Sequence, residues 1–229
     1  MKWLHTEYDF AAGAIVNFHK PVGKSSFWYV RKIHYLIQTK VGHAGTLDPF
    51  AEGVLLLCTG KATKQVSELM SLPKEYIGIL RLGIQTETDD ATGAIVRNAA
   101  VPQLSGNDIV QSLEKFVGDV LQIPPMFSAK KVAGERLYHL ARKGRIIDRV
   151  PKQVHIESID LISFHENLIT ICVKCSKGTY IRALARDIGN DLGCGAHLQS
   201  LVRTRIGDYC IEDSIDLERF KQLLENHQE

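Results

Sequence analysis

GHAGTLDPFAEG, residues 42–53, places one aspartate, Asp48, between a leucine and a proline, with three glycines and a histidine around it. Proline locks its own φ and biases the preceding residue towards extended conformations. Asp48 is therefore expected on a stiff loop in an extended or turn conformation, with the glycines letting other backbone approach closely. An isolated Asp-Pro is an ordinary turn. Here His43, Thr46 and Glu52 accompany Asp48, and the apolar run VLLLC (54–58) follows at once. A buried strand is expected where the loop ends.

Working outward, the 229 residues suffice for one large domain or two small ones with a substantial core. Hydrophobic residues are 45% and charged residues 24%, which is globular composition. The formal net charge of +2 is too weak a bias to argue nucleic-acid binding, so only the placement of charges can. The five cysteines, at 58, 172, 175, 194 and 210, are scattered and odd in number, which argues for a reducing compartment over a disulfide framework. The stretch MKWLHTEYDFAAG has no apolar signal core, and no run of about 18 apolar residues occurs, so a cytoplasmic protein without a membrane partner is expected.

In chain order, residues 14–18 read as a strand. Ser25 or Ser26 is placed to cap a helix over 27–38, with Val30, Ile33, Leu36 and Ile37 at helical spacing and Arg31, Lys32, His34 and Lys40 on a basic side. A helix is expected over 61–70, an alternating strand over 74–82, and a polar turn at 85–93 leading into a hairpin partner at Ile95-Val96. Ser105 caps a helix running to 116. A strand over 128–132 and a helix over 135–143, ended by Gly144, come next. Strands over 154–164 and 168–175, a helix over 179–192, a strand over 196–203 and a last helix over 216–226 complete the chain. The irregular alternation and the neighbouring strand pairs imply an α+β fold around a mixed, mainly antiparallel sheet.

Two motifs are set aside. Gly23-Lys24-Ser25 resembles the end of a phosphate loop, but the required earlier glycine is Phe18. Cys172 and Cys175 have zinc-ligand spacing without a second pair, and their strand alternation puts them on opposite faces, so they read as structural cysteines. The nine histidines form no HxxxH pair, and no metal site is expected.

Four places combine a special backbone with polar groups: the loop of His43 and Asp48; Lys74-Glu75-Tyr76, where Tyr76 opens a strand; SKGTYIR (176–182); and HLQSLVRTR (197–205). Taken alone, Tyr76 reads as a sheet aromatic with its hydroxyl in water. Arg182 stands near a helix start, where a cation opposes the helix dipole. A buried acidic partner would resolve this, and Asp48 is a candidate.

KPVGKSS, VGHAGTLDPFAEGVLLLCTGKATK, KEYIGILRLGIQTETDDATG, CSKGTYIRALARDIG and HLQSLVRTRIG resemble, in order from 14 to 208, the successive signatures of the TruB family of bacterial tRNA pseudouridine synthases, which isomerise uridine 55 of the T loop. The resemblance implies the pseudouridine synthase fold, with flanking helices and a central RNA-binding cleft. It also implies residue roles. Asp48 corresponds to the catalytic aspartate, and His43 to the histidine that helps to extrude the base. Tyr76 corresponds to the tyrosine packing on the target uracil, and Tyr180 to a second aromatic at the pocket. Arg182 corresponds to the arginine paired with the aspartate, Asp90 to an acidic residue supporting that arginine, and Leu201 to an apolar floor residue.

The chemistry agrees with these roles. The N1–C1′ bond breaks, the uracil turns, C5 joins C1′ and gives up its proton while N1 gains one; nothing is oxidised, and no net group enters or leaves. No redox cofactor or metal is required. A carboxylate acts beside the sugar, either as nucleophile at C1′ or as base at C2′. Lys20, Lys24, Lys61, Lys64, Lys130, Lys131, Arg142, Lys143 and Arg145 could track the stem phosphates of the tRNA T-arm. Many family members continue into a C-terminal RNA-binding domain of the PUA type. Here the chain stops about twenty residues after RTRIG, so a single catalytic domain over 1–229 without it, working as a monomer with no protein partner, is expected. Two alternatives stay open: an RNA-binding or tRNA-folding module, and a related synthase acting on another RNA.

Overall fold

The computed structural model describes residues 9–126, 131–132, 135–136 and 149–225. Its contacts divide the chain into two units, Met1–Tyr76 with Val202–Glu229, and Ile77–Leu201.

The first unit contains β1 (Ile15–Lys20), α1 (Ser26–Ile37), β2 (Val41–His43) and β3 (Glu52–Thr59). A 3-10 turn (Gly60–Gln65) leads into α2 (Val66–Ser71), and the first residues of β4 (Lys74–Leu82) follow. β3 explains the apolar run after the loop. It pairs antiparallel with β1 and β2, and parallel with the later strand β12 at Glu52 and Gly53. Both its faces are covered: Leu55 and Leu57 enter a cluster with Phe18, Ile33 and Phe220, while Val54, Leu56 and Cys58 enter another with Leu69 and Ile206. A strand covered on both faces has no reason to alternate.

Ser25 caps α1, its hydroxyl accepting from Trp28 N–H, and Gln38 closes the helix in the left-handed region at φ 50°. Val30 and Ile33 are buried and Leu36 and Ile37 pack beside them, as the spacing predicted. The expected single helix over 61–70 is corrected: it begins as a six-residue 3-10 segment, Gly60–Gln65, whose first residue, Gly60, is in the left-handed region at φ +47°.

The second unit takes in the rest of β4, the hairpin β5 (Ile84–Thr86) and β6 (Ile95–Asn98), α3 (Gly106–Glu114) and β7 (Gly118–Gln122). It continues with β8 (Lys131–Val132), β9 (Glu135–Arg136), β10 (Lys152–His165), β11 (Leu168–Cys175), α4 (Ile181–Asp191) and the start of β12 (Ala196–Ile206). The chain ends in the first unit with β13 (Tyr209–Cys210) and α5 (Leu217–Glu225). The main sheet reads β1-β3-β12 in the first unit and β4-β11-β10-β7 in the second. The fold is thus α+β around a mixed, mainly antiparallel sheet with flanking helices.

Ser105 forms a full capping box with Asp108 at α3. In β11, Ile169, Ile171, Val173 and Cys175 are buried and Cys172 is not, as alternation required. One expectation fails at its start: Glu135–Arg136 pairs with Lys131–Val132 as a two-residue ladder instead of opening a helix. The rest of the expected 135–143 helix, and residues 128–130 of the expected strand, lie outside the described residues.

Candidate active site

In the first unit, the loop between β2 and β3 carries His43 and Asp48, and its carbonyls are held from several directions. Arg203 of β12 is 1% exposed; its Nε donates to Val54 O at 2.7 Å and its Nη2 to Gly45 O at 3.1 Å, while Nη1 reaches Thr46 O at 3.5 Å. Lys20, at the end of β1, is fully buried and donates to Pro21 O at 2.9 Å and Ala51 O at 2.6 Å, with Pro49 O at 3.5 Å. The Ser26 hydroxyl bonds both the N–H and the carbonyl of Leu47, next to Asp48. Gly23 N–H reaches Pro49 O at 2.7 Å, and Ala51 N–H turns back to Asp48 O at 3.1 Å. The buried donors among them, Lys20 Nζ, Arg203 Nε and the Ser26 hydroxyl, would be costly if left alone.

Gly53 makes this arrangement possible. It sits at φ +109°, opposite Arg203 in the parallel register, and a Cβ there would lie 2.2 Å from the Arg203 carbonyl oxygen. No other residue fits.

The electrostatics follow from burial. Desolvation lowers the Lys20 pKa from 10.5 to about 8; the charges of Asp48 and Glu52 raise it, and that of Arg203 lowers it further. Burial, then the Arg203 charge, holds His43 below the ordinary imidazole value, with an interaction at the Gly45 backbone opposing. Its Nδ1 is buried without a hydrogen-bond partner. Tyr76 is the third residue of β4 and is buried, and Glu75 beside it accepts from the Thr204 hydroxyl at 2.8 Å.

In the second unit, Asp90 and Arg182 meet. Arg182 Nη1 lies 3.3 Å from Asp90 Oδ2 and 3.1 Å from Thr88 O, and both side chains are almost wholly buried. The other oxygen, Asp90 Oδ1, accepts from the Thr88 and Thr92 hydroxyls and from Thr92 N–H, which ties the acid into the turn before β6. That turn is pinned in place: Leu198 N–H donates to Asp89 O and Ala91 N–H to Leu198 O. One helical turn after Arg182, Arg186 pairs with Asp89 at 3.0 Å and bonds Asp187 and Ile123 O. Burial raises the pKa of Asp89, with Arg186 the largest opposing influence.

Tyr180 stands at the head of α4. Gln122 of β7 grips its backbone both ways, accepting from Tyr180 N–H at 2.9 Å and donating to Tyr180 O at 3.2 Å. Leu201 is buried in β12, near Gly78, where a Cβ would lie 3.3 Å from Leu198 and 3.8 Å from Leu201. Among the described residues, no three His, Cys, Asp or Glu side chains gather as a metal site would need. No described helix is long and apolar enough to cross a membrane.

The sequence matches two adjoining family profiles, "TruB family pseudouridylate synthase (N terminal domain)" over residues 32–181 and "tRNA pseudouridylate synthase B C-terminal domain" over residues 182–229. The chain belongs to the TruB family of pseudouridylate synthases. Among TruB relatives, the tRNA pseudouridine synthase B of Francisella philomiragia is 47% identical over 211 residues, which cover 91% of this chain and 70% of that protein. That of Phocaeicola vulgatus is 44% identical over 227 residues, covering 96% and 97%. Among solved structures, a chain of a Cbf5-Nop10-Gar1 complex is similar with a TM-score of 0.71 and 29% identity, over 91% of this chain. A chain of an H/ACA RNP bound to a substrate RNA containing 2′-deoxyuridine follows at TM-score 0.69 and 25% identity. This TruB chain spans about half the length of those solved chains, 53% and 55%.

Sequence reasoning missed Arg203 and misassigned Lys20 in this TruB chain. Lys20 was expected to track phosphates, but it is buried against carbonyls and cannot reach a stem. Lys24, Lys61 and Lys64 do face solvent. Lys130, Arg142, Lys143 and Arg145, and the side chain of Lys131, lie outside the described residues. The one available signal for Arg203 was its period-2 spacing from Leu201 in β12, which puts both on an inward face.

Proposed function

We propose that this chain isomerises uridine 55 in the T loop of tRNA to pseudouridine, with Asp48 as the catalytic carboxylate and no cofactor or metal. The observation that supports it most is the loop of Asp48, whose carbonyls are held by the buried cations Lys20 and Arg203 and by Ser26. A reaction that turns a base within its own nucleotide needs a carboxylate kept in one position beside the sugar, because misplacement by about 1 Å can cost a hundredfold in rate.

Arg182 is the proposed partner of Asp48. A close cation lowers a carboxylate's pKa by about 1–3 units and so keeps it ionised. Asp90, held by Thr88 and Thr92, pairs with the Arg182 guanidinium and fixes it. The target atom cannot be reached in a stacked loop, so the uridine is flipped out of the RNA. Tyr76, Tyr180 and Leu201 are the proposed walls against the flipped uracil. His43, held towards its neutral form, is the proposed group that helps to extrude it. The T-arm stem-loop is the proposed recognition element, and the chain is proposed to work as a cytoplasmic monomer without a protein partner.

The test is tritium release from a C5-labelled T-stem-loop transcript by the purified chain alone. Wild type releases tritium; Asp48→Asn keeps shape and RNA binding and loses turnover. Turnover of the Asn variant near the wild-type rate overturns the role of Asp48, and an inert wild type overturns the reaction.

A further inference from the structure

The outward side of α1 is not used by the reaction just described, and its composition is unusual for a surface helix. Phe27 is 63% exposed, Tyr35 70% and Trp28 39%. Single exposed apolar residues need no explanation, but three aromatic rings on one 12-residue helix form a patch. Lys24, Trp28, Lys32 and Tyr35 follow one another at near-helical spacing, so cation and ring alternate along one stripe. Lys24 Nζ lies 5.9 Å from the Trp28 ring and Lys32 Nζ 6.0 Å from the Tyr35 ring. The neighbouring stripe of Phe27, Arg31, His34 and Gln38 lines an open groove together with Lys40 and Val41.

Charge narrows the choice of occupant. From Phe10 to Leu47 the sequence has no aspartate or glutamate, while Lys24, Arg31, Lys32 and Lys40 all stand on or beside this helix. A segment of rings and cations that carries no carboxylate of its own suits a polyanion with flat faces. In an RNA duplex the bases are already stacked on one another, so rings of this kind serve unpaired nucleotides.

We propose that this side of α1 is a second RNA-binding surface, which takes an unpaired segment of the substrate tRNA outside the T-arm hairpin. Phe27, Trp28 and Tyr35 stack on bases, and Arg31, Lys32 and Lys40 meet phosphates. The proposal rests on the tRNA reading above. The helix turns Ser26, Val30 and Ile33 inward, Ser26 onto Leu47 of the Asp48 loop, while Phe27, Trp28, Arg31 and Tyr35 stay exposed to solvent. The nucleotides bound here are therefore distinct from the uridine acted on.

The experiment compares the full chain with two double variants, Phe27→Ala/Tyr35→Ala and Arg31→Glu/Lys32→Glu, after circular dichroism has shown each to be folded. Affinities for an unmodified whole-tRNA transcript and for the isolated T-arm hairpin are measured over a salt series, with single-turnover pseudouridine formation at saturating RNA. The aromatic variant is expected to bind whole tRNA about tenfold more weakly for each stacking ring removed. The charge-reversal variant should show a shallower salt slope, by about 0.7 for each single-strand phosphate no longer neutralised. Hairpin affinity and saturating turnover should be unchanged, and Phe27→Tyr/Tyr35→Phe, which keeps both rings, should bind as wild type. Whole-tRNA affinity unchanged in both variants overturns the proposal, as does an equal loss for the hairpin. Altered self-association in sedimentation with unaltered RNA binding also overturns it, and assigns the patch to a second copy of the chain. A wild-type chain that binds tRNA but forms no pseudouridine instead sinks the enzymatic reading, separately from these comparisons.

Discussion

Ser26 holds Leu47 by both polar groups of its backbone: the hydroxyl donates to the Leu47 carbonyl at 2.9 Å and accepts the Leu47 N–H at 2.8 Å. Both residues are buried, so water cannot replace either bond. Ser26→Ala is expected to destabilise the chain by about 1–3 kcal/mol. It should also slow single-turnover conversion more than it weakens RNA binding, because it frees the residue before Asp48. Chemical denaturation and a rate measurement at saturating RNA check both; an unchanged rate removes Ser26 from the positioning of the loop.

Lys20 makes a prediction about pH. With a folded pKa of about 8 against an ordinary 10.5, it is charged in both folded and unfolded chains below pH 8. Between those two values the unfolded chain carries a proton that the folded chain lacks. Stability due to this group therefore rises with pH across that window. Subtracting the urea stability of Lys20→Met from that of wild type, on both sides of pH 8, isolates it; the difference should grow as pH rises. A flat or falling difference contradicts the assignment.

Asp90→Ala removes a carboxylate from a buried guanidinium, and breaking such a pair costs about 3–5 kcal/mol. Adding Arg182→Met should recover part of that loss, since the buried charge goes too. Urea midpoints for the two single variants and the double variant give the coupling. Strict additivity would mean that the two residues do not depend on each other.

Gly53→Ala drives a Cβ into the backbone of Arg203, 2.2 Å from its oxygen and 2.8 Å from its nitrogen, at φ +109°. Strain and overpacking together should cost at least about 2 kcal/mol. The parallel pairing of β3 with β12 must open, so Arg203 also shifts from the loop it supports. A melting temperature and tritium-release rate close to those of wild type would refute this.

The ease with which each of these residues could be read beforehand follows the range of the interactions involved. The Asp48-Pro49 turn, the Ser25 cap, the Ser105 capping box and the β11 alternation were legible because their causes lie within a few residues. The 3-10 segment before α2 was not, because a helical apolar period looks alike in both conformations over so few residues. Arg203 and Lys20 were hidden for a different reason. Their partners are main-chain carbonyls, which carry no residue-type signature, and those of Arg203 lie 149 to 158 positions away. Arg186 and Asp89 were missed likewise: they sit 97 positions apart, and an exposed ion pair would show the same composition. Asp90 was found only through a resemblance, although the buried acid that Arg182 needed was inferred from the helix dipole alone.

The distance between Arg203 and its carbonyls also orders events on the ribosome. Chains emerge from the N-terminus at about 5–20 residues per second. The Asp48 loop therefore leaves the tunnel well before Arg203, which latches it. Ser26 and Lys20 come out ahead of the loop and can seat one flank early, but Gly45, Thr46 and Val54 must wait for Arg203, 149 to 158 positions later. A nascent chain is thus expected to hold Asp48 in an unlatched loop until β12 has been made, so that RNA meeting a shorter nascent polypeptide finds the proposed catalytic carboxylate unfixed.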